Sequence, residues 1–251
     1  MKEKYVNKSP IDPDAGLFYK TEHERMFCYN LNTACDRHGF ILGVHVSGGN
    51  VHDSNNFVPI FDQIKARFPQ MKAAVADAGY ITPHIAKHCF DNNVIPVLPY
   101  KRPMTKDGFF RKNEYVYDEH FDAYICPQDQ IIPYSRTDRT GYRLYHSKVE
   151  ICKNCPDLQK CTKGKDHRKT ITRHIWAEYL EEANHLRHTS YNKQLYSLRS
   201  QTIERVFADF KEKHGMRYTH YRGNTKVRDE AMLAFACMNM KKLANWRWKA
   251  A

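Results

Sequence analysis

Aromatic, β-branched and polar residues partly alternate along residues 25–36, residues 40–47 (FILGVHVS) form a second strand-like segment, and Arg37, His38 and Gly39 separate the two. Alternation points successive side chains to opposite faces of a strand, so the two segments predict a β-hairpin. Residues 73–76 and 94–98 are short apolar runs, and each predicts a buried strand. The connections between these strands decide which fold class the strands belong to.

Those connections have the period of helices. Asp53 and Ser54 are residue types that cap helices, and the helix they predict continues to about residue 68. Thr82 and Pro83 predict a second helix, with proline in its first turn. The order of hairpin, helix, strand, helix and strand predicts an α/β fold. The first helix has an apolar face that carries Phe57, Ile60, Phe61 and Ile64.

Asp77 stands where the strand at residues 73–76 ends, and Gly79 allows the backbone to turn sharply there. In α/β sheets, functional residues collect at the carboxyl ends of strands. Asp77 is therefore either an exposed functional carboxylate or an aspartate that only caps the following turn.

Helical periodicity returns near residue 175. Residues 176–198 predict a charged helix, and residues 228–246 predict a helix that is apolar on most sides and therefore buried. Between them, Glu204 and Lys211 lie on the border of an apolar stripe, whereas Arg205 faces away. This pattern fits a core helix with solvated charges, or an acid and a base at the edge of a cleft. The stripe is formed by Ile203, Val206, Phe207 and Phe210.

Residues 101–174 have a different texture, in which charges, tyrosines and turn residues predict short strands. Four cysteines in this segment have the chemistry of a structural Zn2+ site, and the pair separated by two residues is the strongest local signal. Reduced cysteines without a ligand are the alternative, and His146 or His167 is an alternative ligand. The four are Cys126, Cys152, Cys155 and Cys161. Ordinary core positions are predicted for Cys28, Cys35, Cys89 and Cys237.

The charge of the chain changes the class of expected partner. Its 251 residues include 40 Lys and Arg against 28 Asp and Glu, a formal net charge of +12. This excess favours a polyanion such as DNA or RNA, and basic residues concentrate at 160–173 and 211–228. No signal peptide and no apolar run of about 20 residues is found, so a membrane partner is not expected.

The segments AVADAGY, around Asp77, and IERVFADFKEKHGMRYTHYRG, around Glu204, resemble the transposases of bacterial insertion sequences with a DDE site. The SPIDPDAGLF, hairpin and CPxxxxCT segments are similar to the subgroup with a cysteine-bearing insertion, and the resemblance runs from about residue 9 to residue 246. It implies a ribonuclease-H-like core that acts on double-stranded DNA, both transposon ends and target, and that self-associates.

By this resemblance, Asp77 matches the second catalytic aspartate and Glu204 the catalytic glutamate, and both would hold Mg2+ or Mn2+. Tyr196, Arg199 and Lys211 resemble residues around that glutamate, although Arg199 is one position further from Glu204 than the family spacing. The DNA-binding candidates are Tyr196, Arg199, Arg205, Lys211, Lys213, Arg217 and Arg222.

The family's first aspartate lies on a strand upstream of the hairpin, and this chain has no such apolar run. Asp12 and Asp14 lie among prolines, Asp36 lies at the hairpin turn and Asp53 at a helix cap, so none is a favoured substitute. The expected fold is therefore α/β, a ribonuclease-H-like core without its first strand, with an inserted small β-rich, zinc-binding subdomain.

The expected organisation is a lead-in at 1–22, the first part of the core at 23–100, the insertion at 101–174 and the helical part of the core at 175–251. The expected function is the catalytic C-terminal portion of a transposase in the bacterial cytoplasm, associated with the nucleoid. The alternative is an inactive remnant that binds DNA or inhibits a full-length relative. An RNA-binding module is a third possibility, which preference for single-stranded RNA would support.

Overall fold

The computed structural model describes residues 7–19, 21 and 23–250, with side chains described through residue 246. Residues 1–6, 20 and 22 of the predicted lead-in lie outside the described residues. The chain divides into two units, one comprising the described parts of Met1–Pro99 and Glu182–Ala251, the other Tyr100–Glu181.

The predicted hairpin is confirmed. Strands β1 (Gly16–Tyr19), β2 (Arg25–Cys35) and β3 (Ile41–Gly48) form an antiparallel sheet in the order β1-β2-β3. The Asp36 carboxylate closes the β2–β3 turn by accepting hydrogen bonds from the backbone N–H groups of His38, at 2.9 Å, and Phe40, at 2.8 Å. Gly39 has a φ of +78°, a left-handed conformation that glycine adopts without strain.

Helix α1 (Asp53–Arg67), strand β4 (Ala73–Val75), helix α2 (Pro83–Asp91) and strand β5 (Ile95–Val97) follow in the predicted order. β4 and β5 pair in parallel, and Thr82 caps α2 by accepting from the backbone N–H of Ile85 at 3.2 Å. The prediction of Asp53 or Ser54 as the cap of α1 is wrong. His52 is the cap, because its ring nitrogen accepts from the backbone N–H of Ser54.

The second unit is built on one antiparallel sheet. Its strands are β6 (Val116–Asp118), β7 (Ala123–Ile125), β8 (Ile131–Thr137), β9 (Tyr142–His146) and β10 (Thr170–His174), in the spatial order β10-β9-β8-β7-β6. Two single-turn helices, α3 (Val149–Cys152) and α4 (Leu158–Cys161), lie in the connection between β9 and β10. The core of this unit is mainly aromatic and contains Tyr115, Tyr124, Ile132, Tyr145 and Ile171.

Four helices complete the chain: α5 (Ala177–Leu186), α6 (Ser190–Ser197), α7 (Ile203–Lys213) and α8 (Asn224–Ala250). The single helix predicted at 176–198 is therefore two helices, because Thr189 caps a new one by accepting from the backbone N–H of Asn192. The apolar stripe of α7 is confirmed, since Val206 and Phe210 are buried and the Phe210 ring stacks on Phe235 at 4.3 Å.

The prediction of a buried final helix is wrong for much of α8. Val227, Ala231 and Phe235 recur at a spacing of one turn and are buried, and Met238 packs against the same core, but several other apolar side chains of α8 are exposed. Leu233 is 70% exposed and Met240 is 63% exposed. Cys237, on the same helix, is exposed rather than a core residue, whereas Cys89 is buried as predicted and Cys28 and Cys35 are half-buried.

A buried tyrosine and a partly exposed carboxylate stabilise the sheet of the second unit. The hydroxyl of the fully buried Tyr145 donates to Asp122 Oδ1 at 2.6 Å, and that of Tyr117 donates to the same oxygen at 2.8 Å. Desolvation raises the pKa of Asp122, but these hydrogen bonds and the charge of Arg143 outweigh it, and the pKa lies below its usual value.

We expect Tyr145→Phe to lower the free energy of unfolding by about 1–2 kcal/mol, because it removes a buried hydrogen bond to a charged group. The low folded-state pKa of Asp122 makes this contribution present at neutral pH and lost as pH falls through that pKa. Urea unfolding at neutral and acidic pH measures both effects. Tyr134→Phe is the control, since Tyr134 is 44% exposed and its hydroxyl bonds the exposed Thr137 side chain rather than a carboxylate. An equal loss in both variants would contradict the expectation.

Candidate functional site

Asp77 is held at the end of β4 by the turn that follows it. Its Oδ1 accepts from the backbone N–H of Gly79 at 2.9 Å, so the carboxylate caps the short 3-10 helix Ala78–Tyr80. A Cβ built on Gly79 would lie 3.2 Å from Asp77 Oδ1 and 3.4 Å from Asp53 Oδ2. The two carboxylates therefore flank one glycine. The capping interpretation of Asp77 is confirmed, and its side chain is half-buried.

Asp53 is a candidate carboxylate that the sequence analysis considered and did not favour. It was interpreted as a helix cap, but its Oδ1 accepts from Asn30 Nδ2 at 2.6 Å and its other oxygen faces Gly79. Since His52 does the capping, the Asp53 carboxylate is available to the pair with Asp77. No local sequence signal marks Asp53, because its approach to Asp77 depends on how the start of α1 packs against the turn after β4.

A tyrosine and a buried amide lie under this carboxylate pair. The Tyr80 hydroxyl donates to Asn32 Oδ1, and Asn32 is only 4% exposed. Burial raises the pKa of Tyr80, and the charges of Asp53 and Asp77 raise it further. Tyr80 is therefore a neutral hydrogen-bond donor at any physiological pH, not a base.

Glu204 lies in the first turn of α7, and its nearest charged partner is a cation. Arg199 Nη2 lies 3.6 Å from Glu204 Oε1, and Arg199 Nη1 donates to the Tyr196 hydroxyl at 3.1 Å. The structure thus brings Tyr196, Arg199 and Glu204 together. Among the described residues, no three His, Cys, Asp or Glu side chains are grouped so as to hold a metal ion, so Asp53, Asp77 and Glu204 do not form a closed set.

The candidate DNA-binding residues of α7 and the following loop are largely at the surface. Arg205, Lys211 and Arg222 are exposed, whereas Lys213 pairs with Asp209 at 2.7 Å and Arg217 pairs with Glu212. Exposed pairs of this kind are weak, so these cations are available to a phosphate at little cost.

The basic segment at 160–173 is less suited to DNA than its composition indicates. Arg173 binds Glu181 and lies 4.1 Å from the centre of the Tyr117 ring. Lys169 donates to the backbone carbonyl of Cys161 at 3.0 Å. These two cations are used inside the second unit, because guanidinium and ammonium groups pack on its aromatic core.

The four cysteines of the second unit line one cavity with a volume of about 230 Å3. The Cys152 thiol donates to Ser147 Oγ at 3.2 Å, and Cys161 Sγ lies 3.2 Å from the Tyr115 hydroxyl. Neither His146 nor His167, the alternative ligands, lines this cavity. The cysteines share a cavity, although no three of them are close enough together to form a preformed metal site.

The aspartates of the lead-in are engaged elsewhere. Asp12 Oδ2 accepts from the Tyr29 hydroxyl at 2.6 Å, and Asp14 Oδ2 accepts from the backbone N–H of Asn224 at 3.0 Å. Burial and the Asp12 hydrogen bond raise the pKa of Tyr29 to about 12. Asp12 therefore fastens the lead-in to β2, and Asp14 fastens it to the start of α8.

Residues 125–244 match the family model described as the transposase DDE domain. This segment contains the four cysteines and Glu204, and it supports a DDE transposase; Asp53 and Asp77 lie outside it. No curated protein and no solved structure matches the chain. Within the part of the chain that the structure describes, no helix is long and apolar enough to cross a membrane.

We expect Glu204→Gln to leave the free energy of unfolding within about 0.5 kcal/mol of the parent value, because exposed ion pairs contribute little. The Glu204 side chain is 57% exposed, and its contact with Arg199 is long. Val206→Ala, on the same helix, is the contrasting variant; Val206 is 4% exposed, and its truncation should cost about 1–2 kcal/mol. Urea unfolding of both variants measures this, and a large loss in Glu204→Gln would show that Glu204 has a structural role.

Proposed function

We propose that this chain is the catalytic portion of a DNA transposase of a bacterial insertion sequence, which cleaves and joins DNA in a metal-dependent reaction. The observation that carries the proposal is the facing pair of Asp53 and Asp77 beside Gly79. The match of residues 125–244, which include Glu204, to the transposase DDE domain model supports the same class of function. The proposed core is ribonuclease-H-like, and the proposed site of action is the bacterial cytoplasm, at the nucleoid.

The donor set fits Mg2+ or Mn2+. Asp53, Asp77 and Glu204 offer hard carboxylate oxygens, which these ions prefer. The Asn30 side chain donates a hydrogen bond to the Asp53 carboxylate, and the backbone N–H of Gly79 donates one to the Asp77 carboxylate. Metal-binding carboxylates are commonly oriented by such outer hydrogen bonds. Bound there, the metal would activate a water or a 3'-hydroxyl and stabilise the leaving oxygen. Because no closed set exists among the described residues, side chains must move for the ion to bind.

The chain's own cations would position the DNA. Arg199, next to Glu204, and the exposed Arg205 and Lys211 on α7 would contact phosphates of the DNA. Double-stranded DNA, comprising transposon ends and target, is the proposed partner, with self-association during the reaction. The remaining proposed contacts are Tyr196, Lys213, Arg217 and Arg222.

We expect the parent chain to nick DNA in Mg2+ or Mn2+, and Asp77→Asn and Glu204→Gln to abolish nicking, because each removes a charged metal ligand. Gel assays on supercoiled DNA measure this. Asp91→Asn and Glu212→Gln are the matched controls, since both residues are exposed and paired with a cation; they should nick as the parent does.

The alternative is a remnant that binds DNA or blocks a full-length relative, and the incomplete carboxylate set favours it. Salt-dependent DNA binding by the parent chain without nicking would establish this alternative over catalysis. Absence of DNA binding at about 50 mM salt, where phosphate contacts are strong, would contradict both functions.

We also propose that the cavity of Cys126, Cys152, Cys155 and Cys161 takes a structural Zn2+, supported by the shared cavity of all four thiols. We expect about one equivalent of zinc in protein purified without chelator, and loss of zinc with a lower thermal midpoint in Cys152→Ser/Cys155→Ser. Elemental analysis and calorimetry measure these. Cys237→Ser, an exposed cysteine on α8, is the control, and a zinc content that the double variant leaves unchanged would contradict the site.

A further inference from the structure

Two strands of the first unit end on the same cavity without pairing with each other. β2 pairs with β1 over residues 25–28 and with β3 over residues 29–35, and among the described residues no further strand lies beside it, so one edge of residues 29–35 has no partner strand. In the same described part of the chain, β4 pairs only with β5. Thr33, Ala34 and Cys35 of β2 and all three residues of β4 line one cavity of about 560 Å3.

The remaining walls of this cavity are mainly apolar, with Arg199 and Thr202 as their polar members. α1 contributes the face with Phe57, Ile60, Phe61 and Ile64, and the segment that joins α6 to α7 contributes Leu198 and Ile203. Open strand edges normally invite pairing with another strand, which proteins prevent by charge, proline or cover. This cavity, which we call the strand slot, combines two open edges with apolar walls.

The slot also has a direction. Asp36 and Arg37, after the end of β2, line it together with Gln70 and Met71, before the start of β4, so the two strands run in opposite directions. The other end of the slot lies toward Asn30, Asp53 and Asp77, because Asn30 on β2 bonds Asp53 and Asp77 follows β4. A strand parallel to β4 and antiparallel to β2 would satisfy the hydrogen-bonding pattern of both edges.

We propose that the strand slot receives one extended, apolar segment of another polypeptide, which pairs with β2 and β4 and joins the two sheets of the first unit into one. Backbone hydrogen bonds supply the recognition, and the apolar walls select side chains on both faces of the segment. The segment enters with its amino end near Gln70 and its carboxyl end near Asp77. This pairing does not depend on the proposed catalytic function.

The test uses the full chain and a fluorescent peptide of about six alternating valine and alanine residues, the usual strand length, with lysines at its amino end for solubility. We expect saturable binding by anisotropy and slower amide hydrogen exchange at residues 29–35 and 73–75. A peptide with the same side chains but with alternate amides N-methylated should bind about tenfold more weakly, because it has lost donors to one edge. Equal binding of the two peptides would overturn the proposal.

Matched variants of the chain distinguish peptide binding in the strand slot from nonspecific binding to exposed apolar side chains. Leu198→Arg places a charge in the slot wall and should weaken peptide binding about tenfold. Leu233→Arg makes the same change on the exposed face of α8 and should leave binding unchanged; the reverse result would place the peptide on α8 and overturn the proposal. If Leu198→Arg does not fold, the N-methylated peptide decides alone. A photo-crosslinker at the peptide's carboxyl end should label residues near Asp77, and labelling near Gln70 would overturn the direction.

Discussion

The candidate site depends on two amide side chains that β2 presents on one face, Asn30 and Asn32. A strand repeats its faces every second residue, so the two amides point to the same side. Asn30 fixes Asp53 at the start of α1, and Asn32 accepts from Tyr80 in the turn after β4. These hydrogen bonds hold the start of α1 and the turn after β4 against the same strand. As a result, the carboxylates of Asp53 and Asp77 flank Gly79.

Pairing two carboxylates has a cost unless a cation compensates it, because like charges in one site repel. Asp53 and Asp77 flank Gly79, whereas Glu204 lies 3.6 Å from the guanidinium of Arg199. A bound cation would compensate the charge of such a pair, which is the role of the proposed metal ion. The strand slot opens toward the same pair, so a strand bound there and a metal bound by the carboxylates would act on neighbouring parts of the first unit.

The second unit is stabilised in a different way. Its tyrosines share one carboxylate, Asp122, and its basic residues Lys169 and Arg173 pack on aromatic rings. A small sheet with little aliphatic content gains stability from such buried polar contacts, and the proposed zinc at the cysteine cavity would add to them. Lys169 and Arg173, two of the cations that a composition argument assigns to DNA, are here used within the unit, and α7 and the loop after it form the proposed DNA-binding surface.

The sequence by itself determined those features that depend only on neighbouring residues. They are the hairpin with its turn at Asp36, the start of α2 at Thr82 and Pro83, the apolar stripe of α7 and the position of Asp77 after a strand. Only the tertiary structure decided that Asp53 faces Asp77, that Arg199 pairs with Glu204, that much of α8 is exposed and that β2 and β4 leave a slot between them. Those outcomes depend on which distant segments meet, and one strand's periodicity carries no information about its partner. The apolar residues of α8 show the limit most directly, since burial requires a facing surface that the helix itself does not specify.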